Sequence, residues 1–111
     1  MRSRFLLGAS VALSAASLLI PVLSYGGEPK HFVIEIDKLA FGQAPTGLRV
    51  NDIVEWRNAD IFRHTATASD ESFDVDLPPA GRGQVVLKRA GQLEYFCRFH
   101  PGMRGRLEVA P

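Results

Sequence analysis

The sequence predicts an all-β protein: a Greek-key sandwich or barrel of short antiparallel strands, preceded by a hydrophobic N-terminal signal segment. Three observations carry this expectation. After residue 25, apolar and polar residues alternate on a period of two. Gly, Pro, Asn or Asp interrupts that alternation about every 8–12 residues, the spacing of sandwich and barrel turns. No stretch of this part carries a 3.6-residue apolar stripe of helical length.

The elements follow in order. Met1-Arg2-Ser3-Arg4 is a basic start, and Phe5 to Leu23 is an uncharged run rich in Ala, Leu and Ser, the layout of a secretory signal. Residues 1–24 are therefore expected to be a signal peptide cut before Tyr25, with retention as an uncleaved anchor as the alternative. The apolar run approaches the roughly 20 residues that span a bilayer. Residues 25–111 are expected to form one domain facing an extracytoplasmic, periplasm-like space.

Phe32, Ile34 and Ile36 share one face of a first strand. Leu48 and Val50, then Ile53 to Trp56, make a second and a third, separated by Asn51-Asp52, where Asn tolerates a positive φ. Arg63 to Thr67 reads as a fourth strand. Val85 and Leu87 alternate in a fifth, entered through Gly81-Arg82-Gly83, while the stretch from Ala68 to Gln84 reads as an irregular crossover between sheets. Leu93, Tyr95 and Cys97 alternate in a sixth that begins after Gly91, and Leu107 and Val109 belong to the last.

Composition narrows the function. Of 111 residues, 13 are Lys or Arg and 12 Asp or Glu, a formal charge of +1 that becomes −1 once Arg2 and Arg4 leave with the leader. That balance argues against nucleic acid as a partner. A domain of 87 residues buries only about 60–65% of its unfolded surface. Its single cysteine, Cys97, excludes an intramolecular disulfide, paired-thiol redox motifs and Cys2His2 fingers.

Cys97 does not stand alone chemically. Cys97-Arg98-Phe99-His100-Pro101-Gly102-Met103 lies between two strands and offers thiolate, imidazole and thioether in seven residues, a set that suits copper. His64, at the start of the fourth strand, lies at the same end of a Greek-key sandwich as the end of the sixth, so it can join them. The resulting metal set is His64, Cys97, His100 and Met103. A lone Cys is most often an inert hydrophobe, a lone Met core filler and a lone His a surface residue; it is their spacing together that favours ligation. His31 lacks such partners and reads as a surface residue. Trp56, Phe32 and Tyr95 read as core packing.

Tyr95-Phe96-Cys97-Arg98-Phe99-His100-Pro101-Gly102-Met103-Arg104-Gly105, with Val54 to Asp60 and His64-Thr65 before it, resembles the small blue copper proteins, the plastocyanin/amicyanin group of cupredoxins, over nearly all of residues 32–109. The intervals of two residues between Cys and His and between His and Met are similar to those of amicyanins. The resemblance implies a cupredoxin domain over 25–111 with a type 1 copper ion on His64, Cys97, His100 and Met103, the exposed His100 being the electron port. It implies an electron carrier, not an enzyme, docking transiently on redox proteins such as a c-type cytochrome or a dehydrogenase. A monomer is expected, with no stable membrane insertion if the signal is cleaved.

Two departures stand out. The Asn that follows the first histidine in the family, bracing the ligand loop, is here Thr65, which leaves that brace to a hydroxyl or removes it. The Pro before the second histidine is here Phe99. Phe99, Pro101 and Gly102 would form an apolar collar around His100, with Arg63, Arg98, Arg104 and Arg106 either a solvated charge run or a steering surface for an acidic partner. Two other functions compete: a copper-binding or delivery module without redox turnover, and a thiol hydrolase using Cys97 and His100, which lacks an orienting third group.

Overall fold

The computed structural model describes residues 3–4, 7–21 and 27–111. The expected cleavage point before Tyr25 lies outside the described residues. Residues 7–21 are exposed and carry no regular secondary structure, and among the described residues no helix is long and apolar enough to cross a membrane.

Nine strands form two sheets: β1 (His31–Asp37), β2 (Ala40–Phe41), β3 (Leu48–Arg49), β4 (Ile53–Asn58), β5 (His64–Ala68), β6 (Asp74–Leu77), β7 (Arg82–Val86), β8 (Gly91–Phe96) and β9 (Arg104–Ala110). One sheet runs β2-β1-β4-β7 and the other β3-β9-β8-β5-β6. The chain changes sheets between β2 and β3, β3 and β4, β4 and β5, β6 and β7, and β7 and β8, as a Greek-key sandwich requires. Ile34, Ile36, Val54 and Trp56 from the first sheet meet Ala66, Leu77, Leu93, Tyr95, Leu107 and Val109 from the second in one buried core.

The period-two reading placed the main strands. Three details differ from it. The sheets are mixed, not wholly antiparallel: β1 pairs β4 in parallel and β3 pairs β9 in parallel, because each pair is joined through the other sheet. Asn51 does adopt φ 79°, but its turn is a corner that carries the chain from one sheet to the other, and no hairpin forms there. The stretch 68–84 does cross between sheets, yet it first makes β6, a hairpin partner of β5 in which Thr65 faces Asp76 and Thr67 faces Asp74.

The core is tight where β8 and β9 lie side by side. Tyr95 packs against Phe41 at 4.7 Å and Trp56 at 5.3 Å between ring centroids, and a Cβ built on its cross-strand partner Gly105 would fall 2.2 Å from Tyr95 Cζ. Only a residue without a side chain lets the ring lie over that strand. Gly105→Ala is expected to destabilise the domain by about 1–3 kcal/mol, as overpacking does. Chemical denaturation should show it as a lower midpoint with unchanged slope.

Candidate metal centre

Strand pairing assembles the centre. β5 and β8 are antiparallel, with Thr67 opposite Phe96 and Ala68 opposite Tyr95, so the start of β5 and the end of β8 share one end of the sandwich. His64 opens β5 and Cys97 follows β8, and both are fully buried. The loop after Cys97 closes on itself: Met103 N–H donates to the His100 carbonyl at 2.8 Å, and Cys97 N–H donates to the Met103 carbonyl at 3.1 Å. That closure brings His100 back over Cys97.

His64 Nδ1 lies 3.7 Å and His100 Nδ1 3.8 Å from Cys97 Sγ, and the donor atoms of the three residues all fall within 4.8 Å of one another. Trigonal donors at bond lengths of about 2.0–2.3 Å, ordinary for nitrogen and sulfur on a divalent metal, would stand about 3.6–3.8 Å apart. The donors therefore have the spacing of a metal site. Met103 is buried in the same core cluster as Cys97, beneath the loop it closes.

Each buried donor is held from behind. Thr65 N–H donates to Cys97 Sγ at 3.4 Å, and Thr65 Oγ1 accepts the Arg98 N–H at 2.9 Å. Thr65 thus joins the segment that carries His64 to the one that carries Cys97 through its hydroxyl, a brace the sequence had left open. The chain of bonds continues: Thr65 Oγ1 lies 2.9 Å from Thr67 Oγ1, which donates to Asp74 at 2.7 Å, and the Arg98 guanidinium reaches the same carboxylate at 3.1 Å.

Asp60 holds His64. Its Oδ2 lies 2.9 Å from His64 Nε2 and accepts the Leu39 N–H at 2.9 Å. The Leu39 N–H, followed by the His64 contact, keeps the Asp60 carboxyl below its ordinary value against the opposing effect of burial. Asn58 shapes the loop that delivers this carboxylate, donating to the carbonyls of Phe62 at 2.7 Å and Leu77 at 3.0 Å while its Oδ1 accepts the Asp60 N–H at 2.8 Å. The sequence reading assigned no role to Asp60 or Asn58.

Burial pushes the Cys97 thiol up, but the Thr65 N–H, the His100 and His64 rings and the Phe99 N–H outweigh it and bring it down to about 6. The folded value lies below the ordinary one of about 8.5. Its contribution to stability is thus complete above about 8.5 and is lost as pH falls through about 6. Metal-free protein is expected to gain stability over that window, with thiolate ultraviolet absorbance appearing near pH 6. A titration midpoint at the ordinary value of about 8.5 would contradict the arrangement.

Around the partly exposed His100, Phe99 is 50% exposed, Phe62 46% and Ile61 81%. The Phe62 ring lies 6.0 Å from that of His100. The apolar collar therefore includes Phe62, whose signal in sequence, with the exposed Ile61 before it, was two large apolar residues side by side in a loop. A side chain at Gly102 would meet nothing within 4 Å, so glycine keeps the rim low there. Arg63 is matched by Asp76 and Arg98 by Asp74, whereas Arg106 pairs with Glu108 and lines a pocket with Gly91 and Ala110 at the other end of β8 and β9. Phe62 and Phe99 are thus exposed apolar side chains beside His100.

The chain is similar to the amicyanin of Paracoccus versutus, with 25% identity over 118 residues that cover 95% of this chain and 87% of that protein. Among solved structures it is similar to the reduced state of a proline-to-phenylalanine variant of amicyanin, with a TM-score of 0.62 and 25% identity over 71% of this chain and 81% of that one. It is also similar to a novel purple cupredoxin from Nitrosopumilus maritimus, with a TM-score of 0.53 and 25% identity over 70% and 77% of the two chains. No protein-family model matches. The chain is amicyanin-like in sequence and has the cupredoxin fold, and the cluster of His64, Cys97 and His100 fits a single type 1 copper site.

Proposed function

We propose that this protein is a type 1 copper electron carrier in which His64, Cys97 and His100 would hold the metal, with the Met103 thioether as a further, weaker donor. The observation that carries the reading is the convergence of two imidazoles and one thiolate within 4.8 Å, two of the three donors fully buried and the third at an open apolar rim. Copper bound there would pass between Cu(I) and Cu(II), taking up and releasing one electron.

The chain's own residues limit the rearrangement that this change demands. Thr65 ties Cys97 and Arg98 to β5, Asp60 fixes the His64 ring, and the Cys97–Met103 backbone bond closes the loop. Phe62 and Phe99 beside the His100 edge offer a small apolar docking patch of the kind that suits brief encounters. A redox protein, such as a c-type cytochrome or a dehydrogenase in an extracytoplasmic space, is the fitting partner for a monomeric carrier exported by residues 1–24. Copper delivery without redox turnover is less well supported, because exchange needs accessible donors and both His64 and Cys97 are buried.

One equivalent of Cu(II) added to the purified protein is expected to give an intense blue colour that bleaches on reduction, together with rapid electron exchange with a c-type cytochrome. A colourless adduct would overturn the proposal. A blue protein that exchanges electrons slowly would favour the delivery reading.

A further inference from the structure

We propose that Asp60 is a positioning residue for the copper site, fixing the His64 ring and using its negative charge to favour the oxidised metal; this rests on the copper reading above. Three N–H groups converge on its carboxylate. Oδ2 faces His64 Nε2 at 2.9 Å and accepts from Leu39 N–H at 2.9 Å, and Oδ1 accepts from Ile61 N–H at 3.1 Å. The Leu39 donor is delivered by a tight β1–β2 hairpin in which Lys38 and Leu39 both take positive φ, 51° and 59°. A strained turn on the first sheet is thus pinned to the ligand histidine of the second.

Among the described residues no Lys or Arg pairs with this carboxylate. The neighbouring Arg63 is engaged by Asp76 through two bonds of 3.0 and 2.7 Å. The Asp60 side chain is only 9% exposed and that of His64 not at all, so their interaction is weakly screened. With Nε2–H donated to Asp60, Nδ1 is the nitrogen that faces Cys97 Sγ, 3.7 Å away, and would hold the metal. An anion bonded to the far nitrogen makes the near one a stronger donor, which favours Cu(II) over Cu(I) and lowers the reduction potential. His100 makes no such contact among the described residues, so the two imidazoles differ: one is charged from behind and fixed, the other is free at the rim.

The test uses the full-length protein. Asp60→Asn removes the charge and keeps one amide oxygen, which can still accept from the Leu39 N–H and His64 Nε2–H while the exposed Ile61 N–H turns to solvent; the variant is expected to stay blue while its preference for Cu(II) over Cu(I) falls about tenfold, read as a rise of about 59 mV in the potential. Asp60→Glu should return the potential toward that of the unaltered protein. A blue Asp60→Asn protein with an unchanged potential overturns the inference. Should that variant fail to fold, nitrogen-15 NMR of the unaltered metal-free protein decides: His64 is expected to carry a proton on Nε2, and an unprotonated Nε2 overturns the assignment. If the unaltered protein gives no intense colour with copper, the functional reading fails separately, while the tautomer still reports whether Asp60 holds the ring.

Discussion

Cys97→Ser is expected to abolish the intense visible absorption of the copper-loaded protein and to weaken Cu(II) binding by more than the roughly 10–100-fold that loss of an outer-sphere partner costs. The colour of such a site comes from the thiolate bound to the metal, and a serine hydroxyl is neither ionised at neutral pH nor soft. The substitution is otherwise nearly isosteric. The hydroxyl can still accept the Thr65 N–H, so the metal-free variant should lose no more than the ordinary single-mutant range of about 0.5–3 kcal/mol. Visible and electron paramagnetic resonance spectra with one equivalent of Cu(II) separate the two effects. A variant that keeps the full-strength colour would show that Cys97 is not the ligand, whatever its burial.

Copper loading is expected to raise the melting temperature by on the order of 20 °C. Binding to the native state alone contributes about 4 kcal/mol when free metal exceeds the dissociation constant a thousandfold. In a domain of 60–100 residues each kcal/mol shifts melting by about 4–8 °C. The two oxidation states should differ. His64 stands 33 positions from Cys97 and joins it only in the fold, whereas Cys97, His100 and Met103 remain close in an unfolded chain and still offer Cu(I) two soft donors and an imidazole. Binding to the unfolded state subtracts from the stabilisation, so Cu(II) is expected to protect more than Cu(I). Calorimetry before and after chelation, with copper loss verified by metal analysis, measures this; unchanged melting would refute it.

Much of this arrangement was legible because its signals are local. Cys97, His100 and Met103 sit in one loop, and their spacing names a chemistry before any fold is known. The alternation of Leu93, Tyr95 and Cys97 likewise places the cysteine on the core face. β6 was hidden by its surroundings: Phe73, Val75 and Leu77 do alternate, but they are interleaved with aspartates and bounded by Ser72 and Pro78, which read as loop. The parallel pairing of β1 with β4 could not be read, because it depends on which strand arrives beside which after the chain has changed sheets. Asp60 failed to register for a related reason. Its approach to His64 depends on Asn58 gripping three carbonyls, of Phe62, Leu77 and Pro78, two of them distant in sequence. An Asp in a polar loop reads as a turn former and nothing more.

The parallel contact between β3 and β9 matches Leu48 with Val109 and Arg49 with Ala110, residues far apart along the chain. Much of the sheet register is therefore of high contact order, and folding of such a topology is slow, in the millisecond-to-second range. The sandwich cannot close until β9 has been brought beside β3. Metal acquisition is then a late event in the life of the polypeptide: before closure Cys97, His100 and Met103 lie near one another along the chain, and His64 joins them only in the fold.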